Sequence, residues 1–166
     1  MKYREVSILA AKDLGTTGTE VIDINLIDPI SSIELIWQTT VVTVAVMLAP
    51  HVACISKIEL VDGSDVLVSL SGEEAQALAF YGSGKMPLNT VSLVVGEYMR
   101  SVIPIYFGRK LFDKMLALEP KKFRNLQLKI TWDEDAANTS VVVNQLAVRG
   151  FVFDEQSVSP QGFLMS

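Results

Sequence analysis

The sequence predicts an all-β fold, an eight-stranded antiparallel jelly-roll sandwich with one or two short helices in its connections. Apolar and polar residues alternate with a period of two in several segments, which is typical of half-buried strands. These segments are long and are separated by wide loops rather than tight two-residue turns, which favours a Greek-key sandwich. The sequence shows no strand–helix–strand alternation and no internal repeat. An immunoglobulin-type sandwich is the alternative, but the helical segments and the single cysteine count against it.

The stretch from residue 55 to residue 82 predicts a β-hairpin followed by a short helix. Ile58 and Leu60 alternate with charged residues, as in a strand with one buried face. Asp62-Gly63 follows, and this dipeptide favours a hairpin turn because glycine readily adopts the positive φ that such turns require. A second strand, Val66–Leu70, is then expected to return alongside the first.

A helix is predicted directly after the hairpin. The Ser71 hydroxyl can accept a hydrogen bond from the backbone of Glu74, whose carboxylate can reach back to the Ser71 N–H in a capping box. Gly82 is expected to end the helix, since glycine accepts the left-handed conformation found after many helices. The apolar face expected of this helix consists of Ala75, Leu78 and Ala79.

The same patterns predict further strands and one further helix. The other predicted strands are Tyr3–Leu9, Glu20–Leu26, Ile33–Leu48, Thr90–Val95, Tyr98–Phe107, Leu126–Trp132 and Val141–Phe153. Gly96 and Gly150 are expected at β-bulges, and Pro104 predicts either a sheet edge or an irregular position for its strand. A second helix is predicted for Leu111–Leu118, because its apolar residues share one face and Pro120 stops it. The predicted core includes Ile58, Leu60, Leu78, Leu126, Leu128, Ile130 and Phe151.

Composition limits the classes of function. The 166 residues are expected to form one jelly-roll domain, residues 1–156, followed by a tail or inter-domain linker, residues 157–166. The chain carries 14 basic and 19 acidic residues, and its net charge of −5 disfavours general nucleic-acid binding. No signal peptide is evident in the first residues. Leu35–Ser56 has no charged residue, but Pro50 and many β-branched residues favour two buried strands over a membrane-spanning helix.

The sequence offers no constellation that would support catalysis or hold a cofactor or metal ion. His51 is the only histidine and Cys54 the only cysteine, so a cluster of histidine ligands and an internal disulfide are both excluded. No serine lies in a G-x-S-x-G motif, and no phosphate-binding glycine motif occurs. We therefore predict a protein that is not an enzyme, with His51 as a turn residue and Cys54 as a buried thiol.

Each charged cluster has two interpretations. Asp62, Asp65 and the run Asp133–Asp135 could bind calcium, but turn chemistry and a solvated loop are favoured because the EF-hand spacing is absent. The basic groups Arg109-Lys110 and Lys121–Arg124 could contact phosphate or an acidic neighbouring subunit, or form a solvated face. Aromatic residues make up 8% of the chain, which weakens the case for a sugar-binding module. The segments expected to contact other subunits are Ser83–Leu88, Arg109–Arg124 and Asp133–Ser140.

Three stretches resemble a family of viral coat proteins. They read IELVDGSDVLVSLSG, ALAFYGSGKMPLN and IPIYFGRKLFDKMLALEPKKFRNLQLKITWDED, and they lie within residues 55–135. Together they resemble the first jelly roll of the double-jelly-roll major capsid proteins of tailless icosahedral viruses and phages. In that family a hairpin runs into a short helix, and a later strand with an apolar-aromatic-Gly ending leads through a helical loop to an alternating strand. The corresponding segments here are Ile105–Arg109, Leu111–Leu118 and Leu126–Trp132.

The resemblance implies a structural virion protein, a major capsid protein subunit that assembles into an icosahedral shell with copies of itself and other capsid proteins. It further implies trimeric capsomers, an internal viral membrane nearby, no specific nucleic-acid partner, and a virion location after synthesis in the host cytoplasm. The chain departs from the family in length, because two tandem jelly rolls do not fit in 166 residues. It would be either the N-terminal jelly roll or a separate single-jelly-roll subunit. The alternative function is a carbohydrate-binding or lectin-like jelly-roll module.

Overall fold

The computed structural model of the protein describes residues 3–43, 49–135, 141–154 and 158–164. The strands in this part of the chain are β1 (Tyr3–Asp13), β2 (Thr17–Asp23), β3 (Ile30–Val41), β4 (Ile55–Asp62), β5 (Asp65–Leu70), β6 (Tyr98–Tyr106), β7 (Leu126–Asp133) and β8 (Val141–Phe153). One α-helix, α1, spans Gly72–Ser83, and 3₁₀-helices span His51–Cys54 and Pro120–Lys122. All predicted strands except Thr90–Val95 are present, although their ends shift by up to several residues.

The strands form two four-stranded antiparallel sheets. The strand order is β1-β8-β3-β6 in the first sheet and β2-β7-β4-β5 in the second. Consecutive strands therefore alternate between the sheets except in the β4–β5 hairpin, which is the jelly-roll pattern and confirms the predicted fold class. β6 lies at the edge of the first sheet, one of the two alternatives that Pro104 predicted, because an edge strand tolerates a missing N–H donor.

The core lies between the sheets and follows the alternation of the strands. The buried residues of β7 are Leu126, Leu128, Ile130 and Trp132. β4 pairs with β7 so that Ile58 lies opposite Ile130 and Leu60 lies opposite Leu128. All five core residues predicted in these two strands are buried. The period-two pattern thus determined which face of the second sheet is covered.

The hairpin and the start of α1 form as the sequence predicts. Gly63 has a φ of 62°, so the turn uses the conformation that favours glycine. Glu74 N–H donates to the Ser71 hydroxyl at 3.2 Å, and Ser71 N–H donates to the Glu74 carboxylate at 2.8 Å. The helix ends two residues later than expected, because Gly84 rather than Gly82 adopts the left-handed cap.

Two residues predicted in the core lie elsewhere. Leu78 is 39% exposed, because α1 turns its small residues Ala75 and Ala79 towards the sandwich and leaves Leu78 at the side. Phe151 is half-buried on the outer face of the first sheet, where its ring centroid lies 6.4 Å from that of Phe112. Both predictions were wrong because the apolar phase alone does not say which of two available faces is covered.

The phase change in β8 occurs at Asn144 rather than at Gly150. The pairing of β8 with β3 skips Asn144, whose two neighbours pair with the consecutive residues Gln38 and Thr39. Asn144 is therefore the extra residue of a bulge. Gly150 pairs with Ile33 in unbroken register, and it belongs to the inward-facing side of the strand.

The segment Leu111–Leu118 forms turns instead of the predicted helix. The Asp113 carboxylate accepts hydrogen bonds from the backbone N–H of Arg109 at 3.2 Å and of Met115 at 2.9 Å. These bonds satisfy donors that a helix would pair internally or leave at its first turn. Phe112 has a φ of 58°, which a right-handed helix does not contain.

The same segment is bonded to β3 near both of its ends, because Phe112 N–H donates to the Ser31 hydroxyl at 2.6 Å and Leu118 pairs with Ile30. Gly108 lies so close to the backbone of Leu116 that a Cβ at position 108 would be 2.6 Å from the Leu116 carbonyl oxygen. Leu118 exchanges backbone hydrogen bonds of 2.7 and 2.9 Å with Ile30. The long-range backbone bonds at Leu118 replace the local ones of a helix.

The predicted strand Thr90–Val95 and the predicted bulge at Gly96 do not form. Within the described residues this region has one isolated bridge, between Asn89 and Ser101. Gly96 lies in a turn with a φ of 89°. The segment nevertheless runs beside β6, so the sequence indicated its extended course but not its lack of a regular ladder.

The uncharged stretch Leu35–Ser56 contains the end of β3, the first 3₁₀-helix and the start of β4. This arrangement agrees with the prediction of two strands. Residues 44–48, at the end of the predicted strand Ile33–Leu48, lie outside the described residues, and β3 ends at Val41. In the described part of the chain, no helix has the length and apolar character needed to cross a bilayer.

Candidate assembly surfaces

His51 is buried in the connection between β3 and β4, at the centre of a chain of polar contacts. Its Nδ1 lies 2.9 Å from Thr39 Oγ1, and its Nε2 lies 2.5 Å from Ser101 Oγ. Ser101 donates to Asn89 Oδ1, which also accepts from Gln76 Nε2 at 2.9 Å. All these contacts are satisfied when a neutral imidazole donates from Nε2 and accepts at Nδ1. We call these five residues the His51 network.

The His51 network is arranged for packing rather than for access. Ser101 is fully buried and its hydroxyl proton is used by Asn89, so it is not presented to a substrate. Burial lowers the pKa of His51 to about 4, which keeps the imidazole neutral at neutral pH. His51 lies in a tight 3₁₀ turn as predicted, but its partners were missed because Thr39 and Ser101 are distant in sequence. Cys54 is fully buried, as predicted.

Asp62 uses its carboxylate to fix a neighbouring loop. Its Oδ1 accepts hydrogen bonds from the backbone N–H of Arg124 at 3.1 Å and of Asn125 at 2.8 Å. Asp65 pairs with Asp62 across the hairpin and is exposed. These contacts agree with the turn interpretation, and no group of three or more metal-ligating side chains is found among the described residues.

The acidic run at the end of β7 also makes local contacts. Asp133 Oδ1 accepts from the backbone N–H of Asp135 at 3.0 Å, and Glu134 Oε2 accepts from that of Val143 at 3.1 Å. Residues 136–140 of the predicted contact segment Asp133–Ser140 lie outside the described residues. The described part of this segment therefore presents three carboxylates at the end of β7.

Most cations of the segment Arg109–Arg124 face solvent. The exposed ones that form no ion pair within 4 Å in the described part of the chain are Arg109, Lys110, Lys114, Lys121 and Arg124. Lys122 pairs with Glu119 at 2.9 Å and donates to the carbonyl oxygen of Pro160 at 3.2 Å. Most of this positive charge therefore has no ion-pair partner among the described residues.

The basic and acidic clusters lie at opposite ends of one strand. Lys121–Arg124 precedes the first residue of β7, and Asp133–Asp135 begins at its last residue. A strand of 8 residues spans roughly 25 Å, at about 3.3 Å per residue. The two clusters are therefore too far apart to neutralise each other within one chain.

A groove of about 620 Å³ runs between α1 and the end of β6. Its apolar walls are formed by residues such as Leu78, Ile105 and Leu111, and three cations line it, Lys85, Arg109 and Lys110. Leu78, which was predicted in the core, and Leu111, which was predicted in a helix, both line this groove. The two wrong predictions therefore concern the same surface.

The predicted contact segment Ser83–Leu88 is exposed, and the exposed apolar surface continues well beyond it. Met86 and Leu88 face solvent, and so do most of the residues as far as Val95. The second part was missed because its β-branched residues indicated a strand with a covered face. The absence of any charge between Lys85 and Glu97 was the available signal.

Comparisons with known proteins identify the fold. No protein-family model and no curated protein sequence matches the chain. The crystal structure of the STIV major capsid protein matches with a TM-score of 0.69 at 14% identity, over 92% of this chain and 49% of that one. An atomic structure of Sulfolobus Turreted Icosahedral Virus gives 0.67 at 14% identity, over 92% and 45%. PBCV-1 VP54, fitted into a reconstruction of the virophage Sputnik, gives 0.61 at 14% identity, over 93% and 43%.

The resemblance to jelly-roll capsid proteins is thereby confirmed at the level of the fold. The chain spans less than half the length of each of these structures.

Proposed function

We propose that this chain is a building block of a viral capsid, a structural subunit that assembles rather than catalyses. The observation that carries the proposal is the match of its eight-stranded sandwich to a major capsid protein over 92% of the chain. At 14% identity such a match supports a shared fold, and the same fold hosts unrelated functions. The surface must therefore supply the second line of support.

The distribution of charge supports assembly of like subunits. Lys121–Arg124 and Asp133–Asp135 present opposite charge at the two ends of β7. Opposed patches suit a head-to-tail ring, in which each copy offers one patch to the next. Exposed ion pairs contribute only about 0–1 kcal/mol each, so apolar contacts must provide most of the affinity while charge sets the register.

We further propose that residues 1–156 form the first of two jelly rolls or a separate subunit, with residues 157–166 as the tail or linker. In support, β8 ends at Phe153, and the described residues 158–164 form no strand. Gln161 N–H donates to the Met115 carbonyl at 3.0 Å, and Ala117 N–H donates to the Gly162 carbonyl at 2.9 Å. These bonds hold Gln161 and Gly162 beside the turn segment that contains Met115 and Ala117.

The proposal extends to the setting of the subunit. It includes trimeric capsomers in contact with other capsid proteins, an internal viral membrane nearby, and a virion location after synthesis in the host cytoplasm. The half-length match to capsid structures supports the idea of a repeated unit, because a capsomer built from two-barrel chains needs one such unit per barrel.

Sedimentation and electron microscopy test the proposal. The intact chain is expected to form ordered oligomers whose size depends on salt concentration, because charge sets their register. Changing Asp133, Glu134 and Asp135 together to Ser should weaken this salt dependence, whereas changing the exposed Asp65 and Glu73 to Ser should not. A chain that stays monomeric at every protein and salt concentration would overturn the proposed function. Assembly that is unaffected by the triple change would retain the function and remove the charge pairing.

A further inference from the structure

Residues 86–96 form an apolar surface that the proposed head-to-tail contact does not use. The segment contains no charged residue. Six large apolar side chains in it expose between 58% and 73% of their surface: Met86, Leu88, Val91, Leu93, Val94 and Val95. We call residues 86–96 the apolar edge segment. Soluble monomers rarely expose contiguous apolar patches above a few hundred Å², so this one calls for a covering partner.

The apolar edge segment lies along the open edge of the first sheet. Thr90 N–H donates to the Arg100 carbonyl at 2.8 Å, and Val102 N–H donates to the Leu88 carbonyl at 2.9 Å. These bonds satisfy the side that faces β6. On the other side, no hydrogen bond from the backbone N–H of Val91 occurs within the described residues. Edges of this kind are usually protected by charges, and this segment has none.

The segment is also held in one conformation. Gly96 N–H donates to the Val41 carbonyl at 2.8 Å, which attaches its far end to β3. Asn89 belongs to the His51 network and connects the near end to Ser101 and Gln76. A surface fixed at both ends loses little conformational entropy when a partner binds.

We propose that the apolar edge segment binds the same segment of a second copy of this chain about a two-fold axis. Lys85 and Glu97 flank the segment with opposite charges, and neither forms an ion pair within the described residues. Antiparallel apposition of two copies brings Lys85 of each copy to Glu97 of the other, with the apolar residues between them. Val91 is midway between the two charges and therefore lies at the axis. A pattern that complements itself in this way is what an isologous contact requires.

The exposed area agrees with such a contact. The six apolar side chains, each more than half exposed, present an area on the order of several hundred Å². A standard interface buries about 800 Å² per partner. An uncharged surface is a poor match for nucleic acid, which requires cations. This contact deepens the proposed function, because it names one surface through which copies of the chain meet. It rests on the proposed function only because both require identical subunits to associate.

Disulfide crosslinking tests the two-fold axis directly. Val91→Cys is expected to form covalent dimers under mild oxidation at least ten-fold faster than Val66→Cys, an exposed valine on the hairpin. The native Cys54 is fully buried and does not compete. Lys85→Cys alone should crosslink slowly, whereas a mixture of Lys85→Cys and Glu97→Cys chains should form mixed dimers. Equal rates for Val91→Cys and Val66→Cys would overturn the proposal.

Charge exchange provides an independent test. Lys85→Glu and Glu97→Lys should each weaken dimerisation at least several-fold in sedimentation, and the double exchange should restore it. Failure of restoration would contradict the two-fold arrangement.

Cosedimentation of monomers with phosphatidylcholine vesicles, abolished by Leu93→Ser, would assign the segment to a lipid surface and overturn the proposal. If Val91→Cys dimers crosslink but particles never form, this contact is supported and the proposed capsid function is contradicted. If particles form while Val91→Cys stays uncrosslinked, the capsid function is supported and this contact is contradicted.

Discussion

Strand β7 and the segment Leu111–Leu118 both carry periodic apolar residues, yet only β7 folds as its pattern predicts. In β7 every second side chain is buried in the core between the sheets, and the backbone is paired on both sides by β2 and β4. In Leu111–Leu118 the Asp113 carboxylate takes the N–H groups of Arg109 and Met115, and the backbone turns at Phe112. A periodic apolar pattern predicts structure well when neighbouring strands supply the backbone hydrogen bonds. It predicts poorly when a side chain competes for the same donors.

The largest expected effect lies in β7. Leu128→Ala should cost about 2–5 kcal/mol of unfolding free energy, because it removes buried methyl groups and leaves a cavity. Gln127→Ala, on the opposite face of the same strand, should change stability by less than about 1 kcal/mol. Urea denaturation of both variants measures the difference. A greater loss for Gln127→Ala would show that the register of β7 is shifted by one residue.

A second prediction concerns His51, where the stabilising contacts lie far apart in sequence. Its folded-state pKa of about 4 lies below the usual 6.5, so the unfolded chain binds a proton first as pH falls. The stability that His51 contributes is therefore present above pH 6.5 and is lost progressively down to about pH 4. The full loss amounts to about 3 kcal/mol.

Denaturation midpoints measured between pH 7 and pH 4 test this prediction. His51→Gln is expected to be less stable at pH 7 but to lose much less stability on acidification. Because the chain has no other histidine, the difference between the two pH profiles isolates this group. Parallel profiles for the two proteins would show that His51 titrates normally in the folded state.

These cases show which parts of the fold the sequence could predict. The alternation of Leu126, Leu128 and Ile130 and the capping pair Ser71 and Glu74 depend on local chemistry, and all were predicted correctly. Whether Leu78 is covered depends on how closely α1 approaches the sandwich, which no local pattern encodes.

The candidate surfaces follow the same division. The charges at the two ends of β7 could be read from the sequence, because the length of the strand fixes their separation. The His51 network could not be predicted, since Thr39, Ser101 and Asn89 meet only through the sheet topology. The apolar edge segment was read as a covered strand, because β-branched residues indicate an extended backbone but not a neighbour.

A third prediction tests the competition at Asp113 itself. Hydrogen bonds from backbone N–H groups, that of Met115 foremost, lower the pKa of this carboxyl group. Its contribution to stability is therefore present above the pKa of the unfolded chain and is lost as pH falls through the lowered folded value. Asp113→Ala should lower the thermal midpoint by less than Leu128→Ala does, and Asp113→Asn should lower it less because an amide oxygen still accepts. Equal effects of Asn and Ala would show that the carboxylate does not hold the turn.

The smallest expected effect lies at Leu111 and separates the two regions most sharply. In a helix, Leu111 and Leu118 would lie seven residues apart on one face, so both would be buried and both substitutions would cost similar amounts. In the observed turns Leu118 is fully buried whereas Leu111 is 44% exposed beside the groove. Leu118→Ala should therefore cost about 2–5 kcal/mol and Leu111→Ala less than about 1 kcal/mol in urea denaturation. Equal losses of unfolding free energy would indicate that Leu111 is buried as fully as Leu118, as the predicted helix requires, and would contradict the observed turns.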